Sequence, residues 1–469
     1  MESIDEIAVK LKGDVWRWEE EIFNWACSLA QELAKAMLEN VDKELMKEKE
    51  KDLKVECLKE HRVITIFGDV RIKRRLYRDS NGESRFLLDE KMGLDKGCHV
   101  SPKVKELATF ISSYFPFLRS EEILRTILPS GISHTSIHRL VSKLTDPYIE
   151  AEEKEIAEVF DAGVIPESEG KIVPYLFVEA DGTSIALQRE EARRTEVKVG
   201  IAYEGWEETS KERYKLKNKT VYTGIMSGDR FWEGFSLALA KKYELSQIGK
   251  LIVGGDGAFW VKDGAEFLGG IYELDKFHLK RALHRGLAND PLVTEVYQAC
   301  ITGDIDKADN LLIEAQQKGD ADRGKEIMRL RGYLIANCYG LRDYRLEVTG
   351  DGLRGLGAIE GNVDKLVANR MKKRGMSWTI KGAQRMARLI SLRQMGQLHS
   401  QITRKDKSRG RHLPEVEINK TRPRHKKEAG TWLEAGLPAL YGPHQNRCWV
   451  QALKALTYQI LEYNHAGHL

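Results

Sequence analysis

Residues 171–185 read K-I-V-P-Y-L-F-V-E-A-D-G-T-S-I, and residues 251–260 read L-I-V-G-G-D-G-A-F-W. Each is an apolar run that reaches Asp-Gly, at Asp181-Gly182 and at Asp256-Gly257. Short runs rich in Val, Ile, Leu, Phe and Tyr predict strands, and a glycine after each acid predicts that the strand stops there. A carboxylate at the end of a buried strand is costly unless a partner or a cation neutralises it. Two such acids on apolar strands point to a shared cation. A third, Glu360, opens a helical pattern in G-L-G-A-I-E-G-N-V-D-K-L-V-A-N-R-M-K-K-R. Asp-Gly is also a common turn, and one alone would be read that way. Two of them on buried strands, with a glutamate leading a basic helix, favour a site.

Working outward, strands are predicted at 175–181, around 197–203, in T-V-Y-T-G-I-M, at 251–255 and at 270–274. A helix capped by Asp229 and a short helix near Ala265 complete the order βββ-α-β-α-β. Consecutive strands imply antiparallel hairpins and the later alternation implies crossovers, so the fold class is α/β with a mixed sheet. The strand reaching Asp256 returns beside the first strand in this scheme, which makes Asp181 and Asp256 neighbours. Glu360 then arrives on a helix packed across the same end. Hard oxygen ligands of this kind suit Mg²⁺ or Mn²⁺. Two such ions roughly 4 Å apart serve phosphodiester chemistry. Glu179, Asp364 and Asp263 compete for these roles, Glu179 most seriously because it shares a strand face with Asp181.

Before the core, residues 1–60 form a helical arm, with apolar spacing of three and four in W-R-W-E-E-E-I-F-N-W-A-C-S-L-A-Q-E-L-A-K. Residues 61–150 begin with H-R-V-I-T-I-F-G-D-V-R-I-K-R-R-L-Y-R-D, a β-hairpin around Gly68-Asp69. Its second strand places Arg71, Lys73 and Arg75 on one face, fit either for a phosphate backbone or for solvent. Ser101-Pro102 starts a helix. The stretch S-E-E-I-L-R-T-I-L-P-S-G-I-S-H-T-S-I-H-R-L is then either a helix-turn-helix exposing Ser133, His134, Ser136, His138 and Arg139 or a plain helical hairpin. Residues 147–166 are acidic, helix-like and then loop-like, and read as a linker into the core domain. The catalytic domain spans 170–400, with helical sequence at about 280–355, and a basic region covers 401–469.

The chain has 469 residues, 42% of them hydrophobic, enough for a large core and more than one domain. Net charge is +4, so the total says little, but the positive charge gathers after Glu360. Arg370, Lys372, Lys373, Arg374, Lys381 and Arg385 are candidate DNA contacts, with Trp378 and His399 able to stack on unpaired bases. Six scattered cysteines without a CxxC pair argue for reduced thiols and against a disulfide framework. The absence of a long apolar run and of a signal-like start leads us to expect a cytoplasmic protein.

The segments V-E-A-D-G, G-G-D-G-A-F-W, E-L-D-K-F-H-L-K-R and A-I-E-G-N-V-D resemble the ISLre-type bacterial insertion-sequence transposases, relatives of the Mutator-like DDE transposases. The resemblance extends to R-V-I-T-I-F-G-D-V and L-D-E-K-M-G-L. It implies an RNase H-like catalytic domain with an all-helical insertion, and Asp181, Asp256 and Glu360 as the catalytic and metal-binding triad. It also implies that Asp275 and His278 match the family's Asp-x-x-His signature. The same pair at a strand-to-helix junction could simply cap the helix. The implied function is metal-dependent strand cleavage and strand transfer at an element's terminal inverted repeats and at target DNA. The implied enzyme is a nucleoid-associated homo-oligomer. The rivals are an RNase H-like nuclease that cuts without joining and a non-enzymatic DNA-binding regulator.

Overall fold

A computed structural model describes residues 15–94, 97–288, 290–373 and 375–403. These fall into two compact units, one of residues up to 146 together with those from 396, the other of residues 147–395. Among the described residues no helix is long and apolar enough to cross a membrane.

In the first unit, α1 (Trp18–Glu48) packs on an antiparallel hairpin of β1 (Lys54–Thr65) and β2 (Gly68–Arg78), with β3 (Ser84–Arg85) and α2 (Leu87–Met92) beyond. The predicted hairpin is present, and its first strand starts earlier than His61. Two of its arginines are consumed internally. Arg74 forms a buried bidentate pair with Asp89 at 2.6 and 2.9 Å, and Arg75 pairs with Asp42 of α1 at 2.5 Å. Then come α3 (Pro102–Ser112), α4 (Phe117–Ile127) and α5 (His134–Phe160). Ser101 caps α3 through Val104 N, as its Ser-Pro start predicts. Glu121 of α4 accepts from His134 N and faces His134 Nδ1, both at 2.7 Å, which fixes the turn into α5. The stretch at 147–166 is helix and then loop, as its sequence suggests. Helix α5 runs through Pro147 to Phe160, because Ile156, Val159 and Phe160 pack with Leu237 and sustain it.

The second unit is built on a mixed sheet. Its strands are β4 (Tyr175–Leu187), β5 (Arg194–Tyr203), β8 (Thr220–Gly224), β9 (Lys250–Gly255) and β10 (Ile271–Leu274), in the order β10-β9-β4-β5-β8. The first three in sequence are antiparallel neighbours, and β9 and β10 run parallel to β4. This is the RNase H-like arrangement. A small hairpin, β6 (Trp206–Ser210) with β7 (Arg213–Leu216), projects between β5 and β8, and the sequence reading missed it. Helices α6 (Gly228–Ala240) and α7 (Phe259–Leu268) cover one face, where Phe231, Trp232 and Phe235 bury against Leu176, Val178 and Val253. Helix α6 is capped by Ser227 and not by Asp229, which lies in its first turn. After β10 the chain is helical, as expected: α8 (Lys276–Leu287), α9 (Leu292–Thr302), α10 (Ile305–Lys318), α11 (Ala321–Ala336) and α12 (Cys338–Leu341). The chain then returns to the sheet as α13 (Ala358–Asn362), a π-helical turn (Val363–Ala368) and α14 (Asn369–Met371). Strand β11 (Ser377–Trp378) joins β4, and α15 (Ile380–Gln394) packs on β8. The last described element is α16 (Leu398–Thr403), in the first unit.

Candidate active site

Sheet register assembles the site. Ala180 of β4 pairs with Gly255 of β9, and Gly255 pairs with Leu274 of β10. The next residue along each is an acid: Asp181 within β4, and Asp256 and Asp275 just past the ends of β9 and β10. The Asp275 amide donates to Gly255 O at 2.8 Å, which closes that end of the sheet. The predicted neighbours Asp181 and Asp256 are neighbours, and Asp275 is a third acid in the row. One prediction fails locally, because β4 does not stop at Asp181-Gly182. It continues to Leu187, since β5 offers backbone partners along that whole length, with Asp181 opposite Val199 and Ala186 opposite Arg194. The Glu196 side chain lies over Gly182, where an added Cβ would displace its carboxylate. Gly257 is a true turn, with φ +95°.

The level below holds a second acidic row. Glu179 pairs across with Gly254, and Gly254 with Glu273. Glu179 is 1% exposed. Its Oε2 accepts from Gly357 N at 2.9 Å and Ile359 N at 3.1 Å, while Oε1 accepts from Tyr203 O–H at 2.5 Å. The rival acid thus anchors the start of α13, the helix that carries Glu360. Gly254 permits this docking, because a Cβ there would lie 2.6 Å from Leu356. Glu273 accepts from Tyr344 N at 2.9 Å and faces Lys276 at 3.4 Å.

Asp275 both caps and contacts. Its Oδ1 accepts from Phe277 N at 2.8 Å, which caps α8. Its Oδ2 is buried, makes no hydrogen bond, and lies 3.4 Å from His278 Nδ1. Facing Asp275, with Asp181 and Asp256 beyond, raises the His278 imidazole above its ordinary pKa, against its burial. Burial chiefly, and then the charges of Asp256 and Asp275, push the Asp181 carboxyl up to about 6. The Gly182 amide at 2.6 Å and His278 act in the other direction. Asp256 accepts from Ala258 N at 2.9 Å.

Glu360 is exposed on α13. Three residues before it, a Cβ on Gly357 would stand 3.7 Å from Asp275 Oδ1. The helix bearing Glu360 therefore begins at the acid row. Among the described residues no three acid, His or Cys side chains stand in ready-made metal-ligating geometry, so the acids adjoin without converging on one point. Asp275 Oδ2 is a buried oxygen without a hydrogen-bond partner, and carboxylate oxygens are the donors that Mg²⁺ and Mn²⁺ take.

The basic residues divide. Lys372 and Lys373 are exposed, Lys372 3.4 Å from Thr183 Oγ1 and Lys373 paired with Asp364 at 2.8 Å. Lys381 is exposed and Arg385 half-buried on α15. Arg370 is a correction. It is 2% exposed, stacked 5.0 Å from the Trp378 ring and beside Met376 Sδ at 3.5 Å, so it serves packing. Trp378 is buried as well, and its indole N–H donates to Met371 O. Arg374 and nearly all of 401–469 lie outside the described residues.

The second unit is an α/β fold on a mixed sheet, with Asp181 in β4, and Asp256 and Asp275 at the ends of β9 and the edge strand β10, where the helical excursion begins. The chain belongs to the family described as Uncharacterised protein family (UPF0236), which it matches over residues 14–408. It is similar to a UPF0236 protein of Caldanaerobacter subterraneus subsp. tengcongensis, 23% identical over 372 residues, covering 77% of this chain and 74% of that one. A UPF0236 protein in a vanSb 3′ region of Streptococcus gallolyticus is 26% identical over 371 residues, covering 76% and 78%. A further Caldanaerobacter relative, 23% identical over 371 residues with 77% and 74% coverage, has a name that joins eleven locus tags.

Proposed function

We propose that this protein is a DNA transposase of the ISLre type, working through Asp181, Asp256 and Glu360. The observation that carries the reading is the register of β4, β9 and β10, which brings Asp181 and the acids that follow β9 and β10, Asp256 and Asp275, to one end of the sheet. The Caldanaerobacter relative named for eleven loci supports it, because a self-copying element leaves its gene at many positions in one genome.

Asp181, Asp256 and Glu360 are the residues to hold two Mg²⁺ or Mn²⁺ ions. When bound, such ions activate an attacking oxygen and stabilise the leaving one. Around them the chain's own groups do the positioning. Glu179 fixes the start of the helix carrying Glu360. His278, whose protonated form Asp275 favours, stands where its imidazole can face a phosphate oxygen. Lys372 and Lys373 neutralise backbone phosphates, with Lys381 and Arg385 further along the same surface. In the first unit, His134, Thr135, His138 and Arg139 lie on the exposed face of α5 and serve element-end binding. The enzyme acts as a homo-oligomer on paired ends in the cytoplasm.

The test uses labelled element ends, target DNA and Mg²⁺ or Mn²⁺. Cleaved ends joined to target are expected from the wild type, and at least a thousandfold less from Asp181→Asn or Asp256→Asn. Cut but unjoined ends would establish the nuclease. Metal-independent binding without cutting would establish the regulator.

A further inference from the structure

Beside the acid row, a cavity of about 560 Å³ lies between the β6–β7 hairpin and the loop leading into α13. Trp206, Tyr214, Lys215 and Lys219 line one side, and Leu356 and Asn362 the other. Two kinds of chemistry meet there. Tyr214 is 40% exposed, and the Arg354 guanidinium lies over one face of its ring, 3.6 Å from the centroid, which holds the ring in place and adds positive charge beside it. Trp206 is fixed from behind by Phe177 at 4.8 Å and Tyr203 at 5.3 Å between ring centroids. Lys219 is half-buried, and its Nζ donates to the neutral Asn362 Oδ1 at 2.9 Å, which leaves its charge uncompensated by that bond. Burial, Arg393 and Lys365 all disfavour that charge. An anion placed beside Lys219 would relieve them together. Lys215 pairs with Glu207 of the same hairpin at 3.1 Å, on the exposed rim.

A planar aromatic surface beside cations matches the two parts of a nucleotide, since bases stack on rings and phosphates seek ammonium groups. A paired base shows no free face to such a platform. The cavity wall also continues into the acid row, because Gly357 lines the cavity and approaches Asp275 to 3.7 Å through its would-be Cβ. We infer that the cavity holds one unpaired deoxynucleotide of the strand lying at the acids, with its base against the exposed Tyr214 ring and its phosphate at Lys219. The inference rests on the transposase reading and specifies the form of DNA that it takes.

The experiment uses the full chain in EDTA with two DNAs of one sequence. One carries an unpaired 2-aminopurine in a single-stranded overhang, and the other is fully paired. Wild-type binding should quench the 2-aminopurine. Tyr214→Ala should abolish the quenching and weaken overhang binding about tenfold, with duplex affinity unchanged within twofold. Lys219→Gln, which keeps a hydrogen bond to Asn362, should weaken overhang binding several-fold and confirm the result independently of Tyr214. Circular dichroism checks that both variants fold. If the wild type cuts and joins DNA while both variants bind the overhang normally, the cavity assignment is overturned and the transposase reading stands. If the wild type binds neither DNA, both are overturned.

Discussion

Three donors converge on the Glu179 carboxylate in a space without water access, and the two backbone amides among them belong to the segment that places Glu360. Glutamine can still accept from both amides through one oxygen, whereas alanine leaves them buried and unpaired, at about 1–3 kcal/mol each. Glu179→Gln is expected to retain strand cleavage within tenfold of the wild type. Glu179→Ala is expected to lose at least a hundredfold and to unfold at lower urea concentration. A fully active alanine variant would show that α13 is held by other contacts. The neighbouring Glu273 gives a pH signature. Burial raises its pKa from 4.5 to about 7, with Lys276 and the Tyr344 amide opposing. The folded state therefore keeps a proton that the unfolded chain loses between those values. Its favourable contribution is complete below pH 4.5 and is lost as pH rises through 7. Glu273→Gln, which cannot ionise, should gain on the order of 2 kcal/mol over the wild type at pH 8 and nothing at pH 4. Denaturant titrations at the two pH values check this, and an equal difference at both would refute it.

Helix α15 shows where the pattern of charges in the sequence misleads. Its arginines and lysines look like a solvated DNA-binding face, yet the helix packs on β8 and buries Arg388 at 1% exposure. Arg388 bonds Glu152 at 2.6 Å and Tyr222 O–H at 2.7 Å, donates to Thr223 O, and stacks 4.2 Å from the Tyr222 ring. Arg388→Met should destabilise the protein by roughly 3 kcal/mol, because Glu152 is left buried without its partner. Adding Glu152→Met should recover most of that loss, as measured by thermal unfolding of the single and double variants. Helical spacing locates such an element but is silent on which arginines find partners inside. The same limit hid the end of β4, because Asp-Gly at 181–182 has turn composition and only pairing with β5 keeps it extended. Hairpin β6–β7 escaped notice because its strands are short, polar and mostly exposed.

At the scale of the molecule, the sheet order is legible in the sequence because long apolar strands alternate with helices in a way that few topologies accommodate. The adjacency of Asp181 and Asp256 follows from that order alone. Asp275 as a third acid and Glu179 as an anchor are not legible, since both depend on register, which is fixed by side chains far apart in sequence. The helices from α8 to α12 leave the sheet at Asp275, and the chain comes back at Gly357, beside the same carboxylate. The excursion closes where it opened, and on the way Tyr333 and Tyr344 tie it back to the Asp256 carbonyl and to Glu273. Its helices can lengthen, shorten or be exchanged among relatives for the slowly growing entropy of a larger loop. Variation within the family can therefore accumulate in that segment while the carboxylates stay where the strands put them.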